Sequence, residues 1–462
     1  MNLRTYLDFY NEYFIAKYNL NKDIENENEI LKELKIIPKI CNKLIEINKK
    51  ETISSNSKSD SEKLIIKLEN NKVFVKIFLN LPLEQSGLVY EGLIYKNIIK
   101  SLLENNNTPY LVKPIEYTIC PELLTYINRD NKNPSLITNK LWESLYNNYL
   151  ILSKVQKMKD IVHVIINEQI KDGSETVEKF IQNEKTTIED LKIFAFQLIW
   201  DLQTFQSISL RHNDLHLENM YIEKGEKGDN GFYYFELNIG IKTIYFKISR
   251  KINLKIFDFD RSVIYNILDN EYLRTGSCPT FGICNERNPG YDASIVGCRI
   301  FNKTSIDLLD DDVEFQEFLF IMDKLSNYRS GITLDRNLEY VQHDEKNCYL
   351  SDKSNEDSLT NFLRERLNDE GMEEKEQKDF LEIMKKKMIY SQKTGQRLLL
   401  NENVLKDILQ MDYFKSFIIR KEEFDKSDKK DRFHLPNKDE IKNMHDLLLK
   451  DYKNLINIIQ DR

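Results

Sequence analysis

The chain has 462 residues, of which 41% are hydrophobic and 31% charged, with a formal net charge of −8 at pH 7. That length can bury a large core and is expected to divide into two lobes or domains of a soluble, globular protein. The acidic balance argues against a dedicated nucleic-acid binder, and no run of about 18 apolar residues is present to span a membrane. Six cysteines are scattered without a CxxC pair. They read as thiols in a reducing compartment rather than a disulfide framework or a zinc site. The opening MNLRTYLDFYNEYF carries acidic residues and no long apolar core, so it is not a signal peptide. An intracellular, cytoplasmic location is expected.

In chain order, Leu3, Tyr6, Leu7, Tyr10, Phe14 and Tyr18 fall near helical spacing and predict an amphipathic helix. The polar, Ser-rich and glycine-free Ile53–Lys63 reads as a surface loop. Lys63–Leu68 and Lys72–Leu79 read as two strands around a turn at residues 69–71. On the second strand Phe74, Lys76 and Phe78 share one face. A lysine between two aromatics is costly to bury unless a carboxylate or a phosphate meets it. Gly87–Leu103 predicts an amphipathic helix with Glu91 in its first turns, a carboxylate that could serve that lysine. Tyr110–Ile119 and Asp160–Asn167 read as strands. The insertion between them, residues 121–157, has a helical middle near Leu141–Val155. Ile188–Ile208 is a strongly apolar helix, and residues 223–251 insert two strands, Phe232–Leu237 and Ile241–Ile248. Arg261–Gly290 is loop-rich, helices are predicted near Tyr291–Phe301 and over 310–325, and 326–360 is polar and irregular. From Leu359 onward the pattern is mostly helical, broken at Lys421–Asp431 by a charged run that reads as a solvated loop.

The long helix feeds into Leu210–Ile222, LRHNDLHLENMYI, which has the form H-x-D-L-x-x-x-N with His212, Asp214 and Asn219. Thirty-nine residues beyond Asn219 (258 − 219) comes IFDFDRS, with Asp258 heading D-F-D. A carboxylate at Asp214 can orient a hydroxyl. The Asn219 amide and the Asp258 carboxylate can hold Mg²⁺. These are the parts a phosphoryl-transfer site needs.

HNDLHLEN, residues 212–219, resembles the catalytic loop of the protein-kinase-like fold, and the resemblance runs over Lys63–Phe301. It implies an α+β, bilobal fold, with a small antiparallel-sheet N-lobe over 61–170 and a mainly helical C-lobe core over 171–345. An N-terminal helical extension with the phosphate-loop region (1–60) and a helical C-terminal extension (346–462) flank them. It implies ATP and Mg²⁺ between the lobes. Asp214 would orient the acceptor hydroxyl, Asn219 and Asp258 would hold the metal, and His212 would be a structural anchor. VFVK, residues 73–76, resembles the family's V-A-I-K, so Lys76, paired with Glu91, would reach the α- and β-phosphates. Phe74 stands where the family has a small residue, and Lys67 in LIIK is the second candidate for the phosphate lysine. Ile53–Lys63 sits where the family has a Gly-rich loop.

His216 occupies the place of a lysine in most protein kinases and could contact the transferred phosphate. Asp260 replaces the Gly of D-F-G. His216 is similar to haspin-type kinases, to kinases of large DNA viruses and to aminoglycoside- and choline-type kinases, Asp260 resembles the small-molecule and viral kinases, and the insertion before Asp258 is similar in position to one in haspin-type kinases. Asp292 in GYDASIV matches an aspartate that braces the catalytic-loop backbone, and it could equally cap its helix. Asn213 stands where regulated kinases carry the arginine that receives an activation-loop phosphate, which implies activity without phosphorylation. The resemblance thus implies a divergent serine/threonine kinase acting on a protein substrate, carried in the virion if the source is viral. Two other readings stay open: a choline- or aminoglycoside-type small-molecule kinase, for HNDLH and Asp260, and a pseudokinase scaffold, for the glycine-poor loop and Phe74.

Overall fold

The computed structural model describes residues 53–54, 61–68, 71–121, 123–124, 145, 148–154, 160–225, 231–274, 290–303, 313–326 and 404–460. The expected N-terminal helix, most of the 121–157 insertion and most of the 326–360 stretch lie outside them. The architecture is α+β, in two compact units. The first comprises Met1–Ser101, Val112–Gln169 and Lys442–Arg462, the second Leu102–Leu111 and Ile170–Ile441.

The first unit is built on five antiparallel strands. They are β1 (Ile53–Ser54), β2 (Ser61–Leu68), β3 (Asn71–Leu79), β4 (Pro114–Pro121) and β5 (Ile161–Glu168), in the order β1-β2-β3-β5-β4. Lys76 of β3 lies across from Lys63 of β2 and Ile165 of β5. Ends of the Ser-rich stretch expected as loop are strand instead, because Ile53 and Ser54 pair with Ile65 and Leu64. The strand expected from Tyr110 begins only at Pro114, which has no N–H to give a ladder and so suits a strand end.

Between β3 and β4 come α1 (Leu88–Ile94), a π-helical turn over Tyr95–Ile99, and α2 (Lys100–Glu104). Gly92 lets α1 approach β4, since a Cβ there would collide with the Tyr117 ring. Beneath them His163 is fully buried. It stacks on Phe78 at 5.0 Å, accepts from the Tyr117 hydroxyl at 2.9 Å and donates to Asn80 Oδ1 at 2.8 Å. Burial pushes its pKa down to about 3, so it is a neutral core residue. Cys120 is disulfide-bonded, which corrects the expectation of thiols throughout; pairing cannot be read from scattered spacing.

The second unit runs β6 (Glu175–Thr176), α3 (Val177–Gln182), α4 (Ile188–Ser207), β7 (Leu210–Arg211), β8 (Met220–Lys224), β9 (Phe232–Ile239), β10 (Lys242–Ser249), β11 (Ile252–Ile256) and β12 (Val263–Ile264). It continues with α5 (Tyr291–Lys303), α6 (Val313–Ser326), α7 (Val404–Leu409), β13 (Ile418–Ile419), α8 (Lys421–Lys426), β14 (Arg432–His434) and the start of α9 (Lys438–Gln460). α4 is the axis of this unit. Thr187 and Asp190 form a capping box at its start, and nearly all of its length is buried. Mid-helix, Gln197 donates to Ile252 O at 2.8 Å and accepts from Leu254 N at 2.7 Å, completing the free edge of β11 like a short strand. Phe196 and Trp200 meet Phe235 and Phe246 of the inserted hairpin, and Phe196 also meets Phe414 and Phe417 from the C-terminal part.

The insertion and the C-terminal part share one sheet, β13-β10-β9-β14, in which β14 runs parallel to β9. Lys421–Asp431 is mostly exposed, as its charge suggested, but it is not a loop. It holds α8 and a 3₁₀ turn, and its acids pair outward: Glu423 with Lys247 at 2.8 Å, Asp431 with Arg250. From Lys442, α9 belongs to the first unit, where Asp451 pairs with Lys96 at 2.7 Å and Tyr452 stacks on Tyr90. Among the described residues no helix is long and apolar enough to cross a membrane.

Candidate active site

In the first unit the strand lysine and the helix glutamate meet. Lys76 Nζ donates to Glu91 Oε2 at 2.6 Å, with both side chains buried. A buried lysine in an apolar sheet face requires such a partner, since an isolated ammonium would carry the full desolvation cost. Phe74, the other residue of interest on β3, is half-buried. The side chain of Lys67 lies outside the described residues.

In the second unit the remaining candidates gather around one loop. β7 pairs with β12, and β8 pairs with β11 so that Met220 faces Ile256. The inserted hairpin leaves and rejoins this ladder at Lys224 and Ile252 without disturbing it. One residue beyond the ladder, Phe257 N donates to Asn219 O at 3.2 Å, which sets Asn219 beside the start of D-F-D. Distance in sequence is thus removed by strand register.

His212 is fully buried, tilted against Phe259 at 4.6 Å. Its Nε2 donates to Phe257 O at 2.9 Å, while Nδ1 accepts from Asp214 N at 3.3 Å. Those partners place a ring proton on Nε2. From the first turn of α5, Asp292 takes His212 N at 2.7 Å on one carboxylate oxygen and Asn213 N at 2.9 Å on the other. Burial raises the Asp292 pKa, opposed by His212 and by those amides. Asn213 has φ +68, a conformation asparagine tolerates, and its amide donates to Arg261 O at 2.7 Å. The Asn213 side-chain amide is therefore spent on backbone inside the fold. Asp258 also sits at positive φ, +69.

Asp214 is the centre of the cluster. Asn219 Nδ2 donates to its backbone oxygen at 2.9 Å, Arg261 Nη1 donates to Oδ1 at 3.1 Å, and His216 Nε2 lies 3.9 Å from Oδ2. His216 Nδ1 accepts from Glu218 N at 3.2 Å, leaving its proton on the nitrogen that faces Asp214. Burial lowers the His216 pKa, with Asp214 and Glu218 opposing and Arg299 and His212 adding, so the ring is held toward its neutral form. For Arg261 burial acts downward, but Asp214, Asp260, Tyr272 and Asp258 outweigh it and raise its pKa. Arg261 is the fixed positive charge here, and it is the residue that sequence reasoning passed over. The one available signal was an arginine directly following two acids in D-F-D-R. Asn270, fully buried, donates to Asp260 O at 2.9 Å and Ser262 O at 3.1 Å, which fixes the segment carrying Arg261.

Among the described residues no cluster of three or more His, Cys, Asp or Glu could hold a metal unaided. Asn219 and Asp258 offer two oxygen donors. The Asn219 nitrogen is used on Asp214, so its amide oxygen is the atom left for a ligand. Two protein oxygens suit Mg²⁺, which keeps water and phosphate oxygens in its other positions.

No family model matches the chain. A protein of Acanthamoeba polyphaga mimivirus that carries the provisional name serine/threonine-protein kinase is 24% identical over 253 residues, 52% of this chain and 53% of that protein. The chain thus spans about half the length of this curated relative. Among solved structures, WaaP in complex with acyl carrier protein is similar at 11% identity with a TM-score of 0.31, over 67% of this chain and 90% of that one. A MAP kinase from Leishmania major is similar at 11% identity with a TM-score of 0.33, over 90% and 98%. Likenesses this loose add nothing to the argument from the site. The sequence match and the order of the elements make the fold a divergent, kinase-like one.

Proposed function

We propose that the chain is an ATP- and Mg²⁺-dependent phosphotransferase, a divergent serine/threonine protein kinase that moves the γ-phosphate to a protein hydroxyl. The observation that supports this reading is the hydrogen-bonded cluster in which Asn219 bonds to the Asp214 backbone, Arg261 bonds to the Asp214 carboxylate, and Phe257 at the start of the D-F-D segment bonds to Asn219. Asp214 orients the acceptor hydroxyl and receives its proton. The acceptor oxygen bonds to the γ-phosphorus while the bond from that phosphorus to the β–γ bridging oxygen breaks, and its electron pair leaves on ADP. Lys76, held by Glu91, meets the α- and β-phosphates, and His216, neutral, can donate to the transferred group. Mg²⁺ on Asn219 and Asp258 would neutralise phosphate charge. Catalysis then rests on positioning and on charge already in place.

The test uses radiolabelled ATP with Mg²⁺ and a generic basic protein as acceptor, with choline and an aminoglycoside in parallel. Wild type should label the protein, and Asp214→Ala should lose roughly 10²–10⁴-fold of that rate. Equal labelling by the two would overturn the reading. Labelling of a small molecule alone would reassign the acceptor, and absence of any Mg²⁺·ATP-dependent thermal stabilisation would leave a scaffold without nucleotide.

A further inference from the structure

Arg261 has no task in the scheme above, yet it is tied to the loop twice. Asn213 donates its side-chain amide to the Arg261 carbonyl, and Arg261 donates its guanidinium to Asp214 Oδ1. Two adjacent loop residues thus grip one residue in opposite senses, main chain by one and side chain by the other. Arg261 stands three residues after Asp258 (261 − 258), in a stretch that Asn270 and Ser262 also pin, the latter through its hydroxyl to His212 O at 3.4 Å. The result is a closed link between the loop that carries Asp214 and the segment that carries Asp258. His216 cannot make that link, because it belongs to the same loop as Asp214, and at 3.9 Å its Nε2 is beyond hydrogen-bond distance of Oδ2.

Resting on the phosphotransferase reading, we propose that Arg261 is a positioning residue for the transfer: it occupies one carboxylate oxygen of Asp214 and leaves the other to the acceptor hydroxyl. A carboxylate that can swing presents its oxygens in many orientations. A carboxylate gripped by a guanidinium whose own backbone is bonded to the neighbouring residue presents one. In the step itself the acceptor oxygen bonds to the γ-phosphorus, the bridging bond breaks with its pair leaving on ADP, and the proton passes to Asp214 Oδ2. Arg261 makes and breaks no covalent bond. Lysine would keep the charge but not the planar fork that fixes direction.

The experiment compares wild type, Asp214→Asn, Arg261→Gln and Arg261→Lys in steady-state transfer, in calorimetric binding of Mg²⁺·ATP, and in thermal unfolding. Arg261→Gln is expected to lower kcat about 10²-fold, the scale of a misplaced reacting group, with KM for ATP and nucleotide affinity unchanged. Arg261→Lys should fall between it and wild type. Added guanidine should restore part of the Arg261→Gln rate and none of the Asp214→Asn rate. In unfolding, the Arg261→Gln/Asp214→Asn double variant should melt no lower than the worse single one, since each substitution removes the same ion pair. A wild-type kcat in Arg261→Gln, or a loss carried by KM for ATP and by nucleotide affinity, overturns the proposal. Should Arg261→Gln not fold, a wild-type kcat in Arg261→Lys overturns it. An active wild type with inactive Asp214→Asn and unaffected Arg261→Gln sinks only the role of Arg261. A wild type no more active than Asp214→Asn removes the phosphotransferase reading and this proposal with it.

Discussion

The Asp292 carboxylate receives two consecutive amides of the loop, so its geometry sets where Asp214 can stand. Asp292→Asn would present an N–H to one of those amides. Chemical denaturation should show a loss of about 1.5–3 kcal/mol, the scale of one hydrogen bond to a charged group, together with a lower transfer rate. An unchanged midpoint would end the bracing argument. Glu116 on β4 gives a prediction in pH. Burial raises its pKa from 4.5 to about 8, against Lys96 and Lys100. Between those values the folded chain holds the proton more tightly than the unfolded one, so stability falls as pH rises. His163 acts oppositely: neutral in the fold and lowered from 6.5 to about 3, it costs stability as pH falls through that window. Asp201, raised by burial to about 8, has the same sign as Glu116. Comparing Glu116→Gln with wild type isolates one group. From pH 6.5 to pH 8 the wild-type Tm should fall relative to the variant, and parallel curves would refute the assignment. At this scale the pairing of Lys76 with Glu91 was legible, because a lysine between aromatics demands an acid. So was the proximity of Asn219 to D-F-D. The grip of Arg261 on Asp214 was not, since it depends on β7 meeting β12 and on the fixed turn between them.

Among the elements, periodicity located most helices and strands within a few residues. It failed where tertiary partners decide. The charged run Lys421–Asp431 is mostly exposed, as its composition suggested, but is helix and turn rather than loop, with Phe424 buried against Tyr245 of the insertion. The π turn at Tyr95–Ile99 has no pattern of its own. There the Asn97 side chain donates to Leu93 O at 3.1 Å alongside the shifted helical ladder. The inserted hairpin closes through Gly240 and Ile241, with Ile239 opposite Lys242 and Gly240 at φ +59. A two-residue turn with positive φ at its first position favours glycine. Gly240→Val should cost about 1–2 kcal/mol for the left-handed backbone, read as a lower thermal midpoint. Nothing lies within 4 Å of an added Cβ, so a neutral result could not be blamed on packing and would show that the turn is not strained by a side chain.

For the whole molecule, the C-terminal residues are structural partners of the first unit. Met444, Leu448 and Leu455 of α9 are buried at helical spacing, and Asp451 and Tyr452 meet Lys96 and Tyr90 of the segment after β3. Ending the chain at Ile441 should remove about 5 kcal/mol of apolar burial. Hydrogen exchange would then show lost amide protection over Leu88–Ile94, the helix that carries Glu91. Protection equal to that of the full chain would mean α9 is dispensable. None of this was visible from the sequence, where the last hundred residues offered a helical pattern and no address for it.

The division of the first unit between distant stretches has a consequence for synthesis. Its five strands and the Glu91 helix have all been translated by residue 169, but α9 supplies the rest from Lys442 onward. At roughly 5–20 residues per second, a ribosome needs tens of seconds to travel between those points. During that interval the unit made first waits with an apolar helix face uncovered, open to chaperones and proteases, while the unit made second can close. A polypeptide released early would carry every residue of the proposed transfer site and still lack the covering of the helix that holds Lys76 in place. Until α9 is made, that unit lacks the Tyr452 ring against Tyr90 and the Asp451 partner of Lys96.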